Sequence, residues 1–377
     1  MHRVNRKSAF RGGFAALALA AFAAAAPAAV IEIVPTGTPA DVTNIAAALA
    51  AAVDGDIILL RARDAVGEYE TFDLSSMTSS EFVVSAPNVT VSGEADLQSR
   101  RVRTNVLGPT TYDADGSFVA FDVQGSADGF MVSGVEFRRF EAALLLREGA
   151  KNVSMVDCTL INCANGVFGL GDNDGLTVEG TSIRVSATPT GGNAAVTVQE
   201  GSDDVRVSSC NLIGPGLDKA AVAAAGIIDF NLDAPAARLA AFGNTIQRFD
   251  VGIYLSGASP RLARNTVTKC GDGVAAVSEI STGSTPGSQT VSNAFIRSNS
   301  SRLNADDGIH LVGVTAALVA FNQLSPNIGA GLVCEAAGPS SPTIGVTMEG
   351  NSGSQSCGGS LTTGEAAPRR SVRPAKP

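Results

Sequence analysis

The stretch NADDGIHL, residues 304–311, brings two carboxylates and an imidazole within five positions. Asp306, Asp307 and His310 together could offer a general acid, a general base and a group that orients either, the parts of an acid–base catalytic site. His310 is one of two histidines, and the other, His2, lies at the extreme N-terminus. Asp307-Gly308 also reads as a turn, because Asp272-Gly273 and Asn165-Gly166 occupy the equivalent place in related segments. In that reading His310 is simply an exposed side chain. Asp272, one repeat unit before Asp307, and Tyr254 are the expected substrate-binding residues. Asp172, Asn173 and Asp174 in GLGDNDGL could offer oxygens to Ca²⁺. That stretch lacks the remaining spacing of a calcium loop and reads more simply as a tight turn, so no metal or cofactor is expected.

The elements that position these residues recur. CTLINCANGVFGL from Cys158, NTIQRFDVGIYL from Asn244, NTVTKCGDGVAAV from Asn265 and NQLSPNIGAGLVC from Asn322 share one pattern, and looser copies begin at Thr181, Cys210, Asn299 and Asn351. Successive copies start 21 to 34 residues apart. A base period of about 22 residues with insertions marks a solenoid, in which no unit buries its apolar side alone. The apolar positions alternate with period two and are β-branched, as in Val205 and Val207 or Ile253 and Leu255, which argues for strands. Short strands stacked in register make a parallel β-helix with coils about 4.8 Å apart. Roughly ten coils, about 50 Å of rod, are expected. Asn244, Asn265, Asn299, Asn322 and Asn351 should stack at one turn, where Asn tolerates the left-handed conformation and its amide can bond along the column.

In the unit G-h-x-h the middle residue x faces outward. That row reads Phe168, Thr197, Ile228, Tyr254, Ala275 and His310. Tyr254 precedes His310 by two coils, so about 10 Å should separate them. Extra residues at 184–193, 214–224 and 279–289 fall at the two edges of this strand and could wall a groove. Arg206 and Arg261 fall outward on another face, with Arg264 and Lys269 flanking the same coil; ordinary solvated surface is their simplest reading. Cys158 and Cys210 share a coil position two coils apart, too far for a bridge. Most of the six cysteines therefore read as buried thiols, whereas Cys334 and Cys357 sit where a disulfide could staple the open end.

The ends of the chain read differently. Residues 1–26 combine a basic start, the apolar run FAALALAAFAAAA and small residues, as a secretory signal peptide does, with cleavage after Ala26 or Ala28. The run is too short to span a bilayer. A secreted or periplasmic location follows. The chain carries 27 basic and 36 acidic residues, a formal −9, and the leader contains only basic ones, which disfavours nucleic acid as a partner. Residues 361–377 are basic and Pro-rich, and read as a disordered tail. Residues 41–52 have helical spacing, with Ile45, Leu49 and Ala52 on one face, and form a candidate cap for the first coil.

This helix, then DGDIILL, then GEY at 67–69, then ladders of short strands resembles the pectin lyase-like superfamily of right-handed parallel β-helix proteins, over residues 31–355. The resemblance implies an all-β solenoid with an N-terminal capping helix. It also implies a role in binding or processing a polysaccharide or cell-surface glycan, as a lyase or hydrolase, with a non-catalytic surface scaffold or adhesion module as the alternative. Polygalacturonases of similar fold carry N-T-D, D-D, G-H-G and R-I-K in successive coils. Here Asn244-Thr245-Ile246 and Asn265-Thr266-Val267 lack the Asp, and only the Asp306-Asp307 pair matches.

Overall fold

One coil shows how the chain folds. In the computed structural model Arg261–Ala263 forms a short strand, Arg264 turns at φ 59°, Asn265 points inward, and Thr266–Thr268 forms a second strand. Lys269 turns at φ 57°, Cys270 points inward, and Asp272–Val277 forms a third strand before the chain returns to the first. Each sharp corner thus needs one left-handed residue followed by a buried one. The structure describes residues 28–77, 82–96, 101–102, 104–109, 118–186, 193–199, 201–217, 224–230, 238–278, 291–314, 316–335, 345–349, 351–357 and 362–364. The leader, most of the tail and most of the expected groove-walling insertions lie outside these residues.

Stacked coils give three parallel sheets, which we call first, second and third in the order the chain visits them. Among the described residues they have 13, 9 and 11 strands. The rod is thus somewhat longer than ten coils. Pairing of Thr362–Gly364 with Gly345–Glu349 carries the ladder past residue 355 into the first residues of the tail. Antiparallel pairing among the described residues is confined to Ala95–Asp96 with Arg101–Val102 and an isolated bridge between Arg63 and Tyr69.

Alternation sends apolar columns inward from every sheet. Leu212, Ile246 and Val267 line up in the second sheet, and Ile227, Ile253, Val274 and Ile309 in the third, all at most 1% exposed. Burying each such side chain contributes about 1.5–3 kcal/mol. At the N-terminal end Phe82, Phe121, Phe130, Phe137 and Phe140 form a tilted and edge-on aromatic cluster. The helix Ala40–Ala51 covers that end and buries Val42, Ile45, Ala48 and Leu49. Its buried Asp41 accepts hydrogen bonds from the Thr36 N–H and hydroxyl and from the Asp73 N–H, which ties the cap to the coil below. No helix among the described residues is long and apolar enough to cross a membrane.

The asparagine column forms as a continuous ladder. Asn244 Nδ2 donates to Asn265 Oδ1, Asn265 to Asn299, Asn299 to Asn322 and Asn322 to Asn351, each at 2.9–3.0 Å. Each amide also donates to a backbone carbonyl, and its oxygen accepts the backbone N–H of the preceding Asn. The left-handed conformation, however, belongs to the residue before each of the first four Asn: Gly243, Arg264, Ser298 and Phe321. Asn is chosen here for its buried amide, and the turn falls to its neighbour. Cys210 continues the column, its N–H donating to Asn244 Oδ1, and Cys158 lies further along it. Cys334 and Cys357, paired in register, form a disulfide; the other four cysteines are free and buried.

Candidate functional site

The third sheet holds the expected outer row in one register: Phe168, Thr197, Ile228, Tyr254, Ala275 and His310 are successive partners, and Val333 follows His310. Tyr254 is two strands from His310, as expected. Apart from the small Thr197 and Ala275, which are nearly covered, the row is half-buried, giving a ribbon of apolar and aromatic surface beside His310.

At the corner that leads into this sheet, Asp272 and Asp307 stack in neighbouring coils. Asp272 Oδ1 accepts the Asp307 N–H at 3.2 Å, and Asp307 Oδ1 accepts the Ala330 N–H at 2.7 Å. Each carboxylate thus spends one oxygen on the backbone and aims the other at His310 Nδ1, 4.0 Å from Asp272 Oδ2 and 3.9 Å from Asp307 Oδ2. These gaps exceed a hydrogen bond, so a bridging hydroxyl or water suits them. On the far side of the ring Nε2 is buried without a hydrogen-bond partner and lies 3.5 Å from Glu335 Oε2. Glu335 went unread in the sequence because it belongs to the neighbouring outward row: it pairs with Val312, two residues past His310.

Asp306 lies apart, exposed on the rim of the cluster. Its carboxylate and that of Asp307 both crowd Gly329, where a Cβ would lie 2.5 Å from Asp307 Oδ1 and 2.8 Å from Asp306 Oδ1. Glycine at 329 therefore lets the next coil close over both aspartates. Burial raises the pKa of Asp272, and the charges of Asp306 and Asp307 push the same way, against the Asp307 N–H and His310, which lower it. A carboxyl so placed holds its proton to higher pH than an ordinary one.

Asp272, Asp307 and His310 are also the residues that could hold a cation, their ligand atoms lying within 4.8 Å of one another. A centre would sit roughly 2.3–2.8 Å from each atom, wide for zinc and nearer calcium, whereas an imidazole suits zinc and not calcium. Donor type and spacing disagree, and the cluster fits a hydrogen-bonded hydroxyl better. In GDNDG, Asn173 turns inward to the Arg147 and Ala150 carbonyls, and Asp174 pairs with Lys151 at 2.9 Å.

Three parallel sheets wound coil by coil, closed by one helix, define a right-handed parallel β-helix. No protein-family model and no curated protein sequence matches the chain. Solved structures match it in fold. The Dettilon tailspike protein superposes with a TM-score of 0.56 at 14% identity, over 85% of this chain and 62% of its own. A tailspike protein mutant of E. coli bacteriophage HK620 in complex with pentasaccharide gives 0.57 at 11%, over 88% of this chain and 61% of its own. Endo-xylogalacturonan hydrolase from Aspergillus tubingensis gives 0.54 at 10%, over 90% of this chain and all of its own. The chain thus spans less than two thirds of either tailspike. At these identities the likeness fixes the fold and leaves function to the site.

Proposed function

We propose that the protein is exported and binds a polysaccharide along the outer row of the third sheet, where Asp272, Asp307 and His310 carry out acid–base cleavage of a glycosidic bond. The observation that carries this reading is the convergence of two half-committed carboxylates on one imidazole beside a half-buried apolar ribbon. Phe168 and Tyr254 offer flat faces for sugar rings. Asp272, with its raised pKa, is the proton donor to the leaving oxygen, while Asp307, oriented beside His310, attacks the anomeric carbon; water then hydrolyses this glycosyl-enzyme, giving its proton back to the Asp272 carboxylate. Oxygens this close argue against the wide carboxyl separation, roughly 6.5–9.5 Å, of an inverting pair. The cluster is acidic and repels uronates, so a neutral stretch of glycan suits it best. The saccharide-bound and saccharide-cleaving proteins among the structural neighbours support a carbohydrate role.

A panel of neutral and acidic polysaccharides, read by new reducing ends and by absorbance of unsaturated products, tests this. Asp307→Asn and His310→Ala should each lower turnover by about 10²–10⁴. Asp306→Asn should lower it only modestly, by removing a charge that raises the Asp272 pKa. Asp306→Asn, on the exposed rim, should leave stability within about 0.5 kcal/mol, and Asp307→Asn keeps the oxygen that accepts the Ala330 N–H, so circular dichroism should show both folded. Full turnover in both of the first two variants sinks the assignment. Saccharide binding without turnover on any substrate would instead make this a non-catalytic glycan-binding scaffold.

A further inference from the structure

The first and second sheets carry a surface of opposite character. Segments 239–249, 258–270, 291–305 and 316–327, which run through these two sheets in four successive coils, contain no Asp or Glu, although the chain as a whole is a formal −9. They contain Arg248, Arg261, Arg264, Lys269, Arg297 and Arg302. None of these cations pairs with a carboxylate among the described residues, and Arg302 Nε is buried without any partner. Arg264 and Arg297 wall one hollow and Arg261 lies on the adjoining row, and like charges so grouped favour an anion between them.

The strip also has a shaped centre. Phe242, Ala263 and Arg297 are outward partners in successive strands, and Arg261 and Phe295 are partners one row away. Ala263 is the small residue between them. It floors a depression of about 510 Å³ walled by Phe242, Phe295, Arg264 and Arg297. Arg297 lies over the ring of Phe321, 5.2 Å from its centroid, and that ring is 43% exposed. Guanidinium forks beside exposed aromatic faces suit a ligand that carries both anionic groups and flat apolar faces. Four coils extend about 14 Å along the rod, which selects a chain over a single small anion.

We infer that this depression and its basic strip bind an anionic glycan, one bearing carboxylate or sulfate groups on its rings, at a site separate from that on the third sheet. Arg264 and Arg297 hold the acidic groups, Phe242 and Phe295 meet the sugar faces, and Ala263 leaves the room.

Calorimetric titration of the whole protein tests this, with an oligogalacturonate, a neutral cello-oligosaccharide of matched length and a single-stranded oligonucleotide of matched charge as probes. The oligogalacturonate should bind, and more weakly as salt rises from about 50 to about 300 mM. Arg264→Ala with Arg297→Ala should weaken binding at least about tenfold. Ala263→Leu, which keeps every charge and fills only an outward hollow, should do the same. Asp307→Asn and His310→Ala should leave it unchanged, so this inference and the proposed function fail separately. Equal binding of the neutral oligosaccharide, equal or tighter binding of the oligonucleotide, undiminished binding by the Arg264/Arg297 or Ala263 variants, or loss of binding in the third-sheet variants would each overturn it.

Discussion

Asp229 occupies an inward position of the third sheet, between Val198 and Leu255, and is only 2% exposed. Burial pushes its pKa to about 7, opposed only by the Gly257 N–H. The folded state therefore prefers the neutral acid, while the unfolded chain ionises near 3.8. The stability this group contributes is full below about pH 4 and is lost as pH rises through about 7, up to about 4 kcal/mol. Asp229→Asn should accordingly match the parent in denaturant unfolding near pH 4 and exceed it at pH 8; equal midpoints at both pH values would reject the neutral carboxyl. The free cysteines titrate in the same direction, Cys158, Cys163 and Cys270 pushed to about 12 and Cys210 to about 11 by burial, so the thiols are inert while folded. At this scale the sequence was legible where register alone decides, as for His310, Tyr254 and the Asp272–Asp307 pair. It was silent on Asp229, because a lone inward carboxyl among branched residues looks like an ordinary turn acid until its partners in the sheet are known.

Each corner of the solenoid depends on the ladder beside it. Asn265 accepts from the Asn244 backbone and amide, and donates to the Ala241 carbonyl and to Asn299. Asn265→Leu removes these bonds and strands the Asn244 N–H and the Ala241 carbonyl in the interior. The expected cost is about 2–4 kcal/mol, measured by urea unfolding, against about 0.5 kcal/mol for the outward neighbour Thr266→Ala. The glycines of the repeat have an equally plain cause. At Gly252 a Cβ would meet both Val267 and the Gly273 carbonyl under 3 Å, because the corner presses one coil onto the next. Strand periodicity made these elements readable, and the repeated Asn marked the corner. Which residue carries the left-handed turn was not readable, since Gly243, Arg264, Ser298 and Phe321 share no side-chain chemistry.

The whole rod is closed unequally at its two ends. A helix seals the first coils, whereas the last described ones are joined by the Cys334–Cys357 bridge across 23 residues of chain. A bridge of that span stabilises by about 3 kcal/mol. Cys357→Ser should therefore speed hydrogen exchange over residues 345–357 while leaving the ladder at Asn244–Asn299 protected; uniform loss of protection would show one cooperative unit instead. The capping helix and the bridge position were both legible from composition and register, but the aromatic and basic hollow was not, because Phe242, Phe295 and Arg297 come together only when insertions of different length are removed from the count. Over the four coils of the basic strip the segregation of charge gives the rod a local transverse dipole, with cations on two flanks and Asp272, Asp306, Asp307 and Glu335 on the third. At an anionic surface this stretch would turn its basic flank inward and the third sheet away, and would do so only within the Debye length, about 8 Å at physiological ionic strength. Salt would thus govern the orientation of the third-sheet site as well as the strength of contact at the basic strip.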